Sequence, residues 1–231
     1  MRLIVRNLTK SISNEMILNK ASYTFETGKI YGVCAKDASR LAVLLRCISG
    51  EEGFDRGYIR IREGLSECKP GYNDVCLVYE DSPFIEMMTG REFVEYYMDI
   101  HNCHDRSVEE CLDLIGLTQN DRGRLIQEYP KPVLRRLQIL CMYIAAPAVI
   151  LIEDPFEVTK DSAFADFEKL VTGLKNNHII IISSSDFDKI KHISDEVLML
   201  NDGVLCGIDM RKYENINGID VLMVDLEDNN D

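Results

Sequence analysis

Apolar and polar residues alternate over 2–8 and 21–26, a two-residue period that predicts two strands. Glu26-Thr27-Gly28-Lys29 reads as a turn into a third strand, 30–34, with a helix after it. Gly57 opens a fourth strand, 58–62, and a polar segment with Gly and Pro, 64–73, separates it from the apolar run 75–79. From 81 to 145 the pattern turns helical, with helices expected at 91–100, 107–115 and 133–145. Asp105 or Ser107 would cap the second of these, and Gly116 would stop it. Strand character returns at 148–152, followed by a helix over 163–174, a very apolar strand at 178–182 and a helix over 186–193. Strands 196–200 and 204–206 meet across Asn201-Asp202-Gly203, a strong hairpin signal. Uninterrupted apolar strands suit a sheet covered on both faces, so the layout is α/β with a helical insertion.

The segment IYGVCAKDASRLAVLLRCISG, 30–50, has the outline of a phosphate-binding strand, loop and helix. Such a loop needs glycines for φ > 0 turns and close backbone approach, a lysine for the outer phosphates and a Ser or Thr hydroxyl for magnesium. Framed by Tyr31-Gly32 and Ser49-Gly50, the loop is Ala35, Lys36, Asp37, Ala38, Ser39 and Arg40, and the Lys-Ser/Thr positions fall on Leu41, Ala42 and Val43. The loop has no glycine, no phosphate lysine and no magnesium hydroxyl. Asp37 would add negative charge where a triphosphate sits, offset in part by Lys36 and Arg40. A plain strand, turn and helix unrelated to nucleotides fits this segment as well.

Composition narrows the partners. In 231 residues, 46% hydrophobic and 28% charged residues are ordinary for a globular protein. A net charge of -13 argues against nucleic acid and against direct binding to an anionic membrane surface. The N-terminus shows no apolar leader, and no window approaches the roughly 20 apolar residues of a membrane span. A cytoplasmic location is expected. The 8 cysteines are scattered, mostly in apolar runs and never as C-x-x-C, which suits reduced thiols. His101, Cys103, His104 and Cys111 match no standard zinc spacing, so no metal site is expected.

Three groups of segments together resemble the ATP-binding cassette subunit of ABC transporters over nearly the whole chain. They are LTKSISNEMIL with ASYTFETGKIYG, DSPFIEMMTGREFVEYY, and ILIEDP with IIIISSSDFDKIKHISDEVLMLNDGVL. The resemblance implies a P-loop NTPase-like core with a mixed sheet over 1–80 and 148–231, an N-terminal antiparallel β-subdomain and a helical subdomain over 81–147. The family's functional positions then fall on other residue types. Its adenine-stacking aromatic falls on Ile12, its Q-loop glutamine on Glu80, its switch histidine on Ser185 and its D-loop aspartate on Lys160. Its signature loop falls on Tyr129, Pro130, Lys131, Pro132 and Val133, where two prolines remove two backbone donors yet still start a helix. Its Walker B acids, Asp then Glu, fall on Glu153 and Asp154 in swapped sizes.

The resemblance therefore implies a cassette protein without catalysis, a structural or regulatory partner of a membrane-spanning transporter subunit or of a second cassette, with dimerisation open. No ATP or magnesium is expected. The alternative is a divergent ATPase using Lys36 or Arg40 with Glu153 and Asp154 on magnesium, and a third reading is an anion sensor at Lys36, Ser39 and Arg40. Phe84, Ile85, Met87 and Met88 fall where the family docks its membrane subunit, although packing of the helical lobe accounts for them equally. The location is then cytoplasmic, peripheral at the inner face of the membrane through that partner. The acidic end, 225–231, reads as a solvated tail.

Overall fold

Strands β1 (Arg2–Ile12) and β2 (Glu15–Glu26) form one long antiparallel hairpin closed by Ser13-Asn14. Both turn residues are left-handed, at φ 50° and 68°, the conformation whose twist matches that of the flanking strands. The alternation predicts only the outer parts, 2–8 and 21–26, because Asn7 and Lys20 take φ 48° and 53° and the register shifts beside them. Such bulges break the two-residue period while the pairing continues.

In the computed structural model, residues 1–71, 73–79, 84–156, 161–208 and 223–224 are described, 161–166 and 223–224 for their backbone alone. Strand β3 (Ile30–Cys34) leaves the hairpin for a second sheet and runs into helix α1 (Ala38–Ser49). Strand β4 (Arg56–Glu63) returns to pair with β1, and β5 (Ser66–Cys68) pairs with β4, giving an antiparallel sheet in the order β2-β1-β4-β5. Here β5 occupies part of the polar segment 64–73, in which the sequence pattern predicted no strand. Gly57, at φ 100°, lies opposite the irregularity in β1, and a Cβ there would stand 2.5 Å from the carbonyl oxygens of Arg6 and Asn7.

The second sheet adds β6 (Val75–Val78), then four helices: α2 (Gly90–Ile100), α3 (Val108–Leu114), α4 (Gln119–Arg122) and α5 (Lys131–Ala145). Strand β7 (Val149–Glu153), helix α6 (Asp161–Leu174), strand β8 (Ile179–Ser184), helix α7 (Phe187–Ile193) and strands β9 (Glu196–Asn201), β10 (Val204–Ile208) and β11 (Met223–Val224) follow. The order is β11-β10-β9-β3-β8-β7-β6, parallel from β9 to β6 and antiparallel beyond β9. The sheet is thus mixed, and a separate antiparallel sheet carries the N-terminal strands.

Both faces of the parallel part are covered, which explains its unbroken apolar runs. Tyr31, Val33, Leu151, Ile179 and Ile181 enter the cluster shared with α1 and the first sheet. Ile30, Cys34, Ile150, Ile152, Ile180 and Ile182 enter the opposite cluster with Phe167, Val171 and Ile190 of α6 and α7. Alternation persists in direction but vanishes in polarity.

Helices α2 to α5 gather around their own cluster, including Phe93, Leu112, Leu117, Leu137 and Leu140. Thr89 with Glu92 and Ser107 with Glu110 form capping boxes at α2 and α3, so Ser107, not Asp105, is the cap. Buried Arg122 on α4, a helix without a sequence signal, donates to the Leu117 carbonyl at 3.0 Å and pairs with Glu109 and Asp113. Among the described residues, no helix is long and apolar enough to cross a membrane.

Candidate functional site

Because β3, β8 and β7 are parallel, their C-terminal ends share one edge of the sheet, the usual place for a ligand in an open α/β fold. That edge collects Ala35 to Arg40 after β3, Glu153 and Asp154 from β7, and Ser184 to Asp186 after β8.

The connection after β3 is short. Three residues, Ala35, Lys36 and Asp37, separate Cys34 from Ala38, and none has a positive φ. Asp37 is the N-cap of α1: its carboxylate accepts from the Ser39 backbone N–H at 2.9 Å and from the Ser39 hydroxyl at 2.7 Å. The Arg40 N–H donates to the Asp37 carbonyl at 3.2 Å. These hydrogen bonds from Ser39, assisted by the Arg40 charge, hold the Asp37 carboxyl below its usual range. A helix N-terminus that could receive an external anion therefore already holds an internal one. The sequence showed Asp37 only as a stray charge, although an Asp immediately before a helix of apolar period is a capping signal.

The other loop groups do not converge on an external ligand. Arg40 reaches back to the hairpin, pairing with Glu15 at 2.6 Å and donating to the carbonyls of Met16 at 3.0 Å and Ile17 at 3.3 Å. Lys36 is exposed, and Ala38 and Ser39 lie in the first turn of α1. Leu41, at 2% exposure, and Val43 are buried in the core shared by the two sheets, with Ala42 partly covered between them.

At the end of β7, Glu153 is half-buried and pairs in register with Ser183. Asp154 is left-handed, at φ 24°. Its carboxylate accepts from the Phe156 N–H at 3.4 Å and from the Ser184 hydroxyl at 3.2 Å, and Ser184 in turn accepts from the Asp186 N–H at 3.1 Å. The serine on Asp154 is thus Ser184, whereas Ser185 is exposed. Asp186 caps α7 through the Lys189 N–H at 3.2 Å, and that bond is the main reason its carboxyl lies below the ordinary value. Two of the helices that follow the parallel strands at this edge, α1 and α7, are capped by aspartates of the chain. Burial, with smaller contributions from Asp186 and Asp154, pushes the Cys34 thiol up to about 12.

The segment 129–133 starts α5 with Pro130 as the N-cap at φ −68° and no side-chain cap. The N–H groups of Val133 and Leu134 both turn to the Pro130 carbonyl, at 2.9 and 3.2 Å, and Pro132 has none. Tyr129 is buried, its hydroxyl on the Asp121 carbonyl. Ile12 is partly exposed near the hairpin tip.

The four docking candidates divide. Phe84 packs edge-on against Phe93 with ring centres 5.4 Å apart, and Met88 also leans on the helical cluster. Ile85 and Met87 are exposed, at 43% and 74%. Their segment is pinned to the start of the 126–128 turn by Ile126 N–H to Met88 carbonyl at 2.9 Å and Gln127 N–H to Glu86 carbonyl at 3.3 Å. Glu80, Lys160 and the acidic end lie outside the described residues. All 8 cysteines are free thiols; Cys68 is exposed, the rest are buried or partly so. Among the described residues, no cluster of three or more His, Cys, Asp or Glu is arranged to hold a metal.

No protein-family model matches the chain. It is 27% identical over 206 residues, 87% of this chain and 93% of the relative, to the uncharacterized ABC transporter ATP-binding protein YybJ of Bacillus subtilis. It is 22% identical over 207 residues, 86% of this chain and 66% of the relative, to the bacitracin transport ATP-binding protein BcrA of Enterococcus faecalis. Among solved structures, an ATP-binding subunit of an ABC transporter superposes with a TM-score of 0.77 at 15% identity over 89% of this chain and 88% of the other. A nucleotide-free ATP-binding cassette of an ABC transporter superposes with 0.73 at 16% identity over 89% of this chain and 90% of the other. The chain therefore has the fold of the ABC ATPase cassettes, and the proteins it resembles in sequence are ATP-binding subunits of ABC transporters.

Proposed function

We propose that this chain is a pseudo-ATPase of cassette fold, a non-catalytic structural or regulatory partner of a membrane transporter subunit or of a second cassette. The observation that carries the reading is the N-terminus of α1, where the Asp37 carboxylate occupies the donors that a phosphate would need. Leu41 supports it, since its side chain belongs to the core and no cation stands in its place. At the segment on which the family's signature loop falls, Pro132 and the Pro130 carbonyl leave the start of α5 poor in donors. Glu153 and Asp154 bring two carboxylates to the same edge, and Asp154 is engaged in holding its own turn and Ser184.

Attachment to a membrane would pass through the partner. Exposed Ile85 and Met87, on a segment held in place by backbone bonds, are the docking residues in this reading, with Phe84 and Met88 supporting them from the helical cluster. Charged substitutions at Ile85 and Met87 should abolish co-purification with a membrane subunit and leave the melting temperature unchanged; undiminished capture defeats the docking role.

A second reading, that the chain binds and hydrolyses ATP, is favoured by the names of its relatives, which are ATP-binding proteins. Calorimetric titration with Mg-ATP separates the two. The pseudo-ATPase reading expects no heat of binding up to millimolar nucleotide, and a saturable isotherm in the micromolar range overturns it.

A further inference from the structure

Helices α3, α5 and α6 line an open cleft of about 490 Å3, within the range of about 300–1,000 Å3 typical of small-ligand sites. Leu140, Tyr143, Leu170 and Leu174 give it an apolar lining. Two cations also line it, Arg136 and Lys169, and the charge around them is unusual for a chain of net charge -13. The one carboxylate in the lining, Asp113, is paired with Arg122. Arg136 uses a single nitrogen, Nη1, to hold the carbonyls of Ile115 at 2.8 Å and Gly116 at 3.1 Å. Among the described residues, neither Arg136 nor Lys169 pairs with a carboxylate, and a third cation, Arg106, lies 4.9 Å from the Tyr143 ring. Gly173 completes the lining from α6, and a Cβ there would meet nothing within 4 Å, so the position has room for a larger side chain.

We propose that this cleft binds a small amphipathic monoanion, an apolar chain or ring bearing a single carboxylate, with the apolar body against Leu140, Tyr143, Leu170 and Leu174 and the carboxylate at Arg136 and Lys169. An occupant touches α3 and α5 of the helical cluster and α6 of the sheet layer together, so it ties the two to each other. The site is separate from the sheet edge and does not depend on how the chain treats nucleotides.

The test is calorimetric titration of the full chain with decanoate, decan-1-ol and acetate. Decanoate should bind saturably at one site, decan-1-ol at least about tenfold more weakly for want of a charged hydrogen bond, and acetate not at all. Gly173→Leu should abolish decanoate binding without lowering the melting temperature, and Lys169→Glu should weaken it about tenfold or more with the circular dichroism spectrum unchanged. If Gly173→Leu fails to fold, Lys169→Glu decides alone. Absence of saturable decanoate binding, equal binding of the alcohol, or full binding by the Lys169→Glu protein overturns the proposal.

Discussion

Replacing Leu41 by lysine restores the residue type a phosphate loop would carry and asks whether position 41 faces a ligand or the core. Leu41 is 2% exposed and belongs to the cluster shared by α1 and both sheets. Truncating such a side chain costs about 2–5 kcal/mol. A lysine keeps the methylenes but carries an ammonium into apolar surroundings, where burial lowers a lysine pKa by up to about 3–5 units, each worth about 1.4 kcal/mol. Position 41 lies in the first turn of α1, so partial escape of the amine to solvent relieves some of this. A net loss of about 4 kcal/mol is expected, or a fall in melting temperature of about 8–16 °C for a chain of this size. The sign with pH is fixed by linkage. A lysine whose folded pKa is depressed binds fewer protons folded than unfolded, so the deficit should shrink as pH rises toward the free value of about 10.4. Urea unfolding of the parent, Leu41→Ala and Leu41→Lys proteins at neutral and alkaline pH measures this, with Mg-ATP calorimetry on each. A Leu41→Lys protein as stable as the parent refutes the burial argument, and Mg-ATP binding by the parent itself refutes the pseudo-ATPase reading.

Other expectations concern the same framework. Asp154→Ala should cost about 1–3 kcal/mol in urea unfolding, from its hydrogen bonds to Phe156 and Ser184 and from a left-handed φ that alanine resists, while Asp154→Asn stays within about 1 kcal/mol; equal losses discount the turn. Gly57→Ala should cost about 2–3 kcal/mol, since a Cβ at φ 100° meets two β1 carbonyl oxygens, and a neutral result means that the bulge adapts. Brief alkylation near pH 8 followed by mass spectrometry should label exposed Cys68 first and spare Cys34 and Cys47, whose thiols burial pushes up to about 12 and about 11. The capping carboxylates Glu92 and Glu110, lowered mainly by backbone hydrogen bonds from Thr89 and Ser107, stabilise the fold fully above their free value of 4.5, and that contribution fades as pH falls below it. The double Glu→Gln protein should show a shallower acid limb, and an unchanged limb counts against the boxes.

Much of the architecture was legible because burial on both faces of the parallel strands writes itself as runs such as Ile179–Ser184, and because Asn201-Asp202-Gly203 and the Ser107 cap are local signals. Helix and strand types were readable along nearly the whole chain, while β5, α4 and the middle of the first hairpin were not. Bulges at Asn7 and Lys20 and a three-residue edge strand are stabilised by pairing with distant segments, and nothing in their own alternation announces it.

At the site the division is sharper. The sequence by itself determined which chemistry is absent from the loop after β3, since Ala35 to Val43 contain neither glycine nor a lysine at position 41. Only the tertiary structure decided where the remaining charges go: Asp37 onto the start of its own helix, Arg40 onto Glu15 of the hairpin, Ser184 rather than Ser185 onto Asp154, and Leu41 into the core. Residue type limits what a side chain can bind, but a charge or hydroxyl is taken by the partner that folding brings within about 3 Å, and those partners lie up to 30 residues away in the chain.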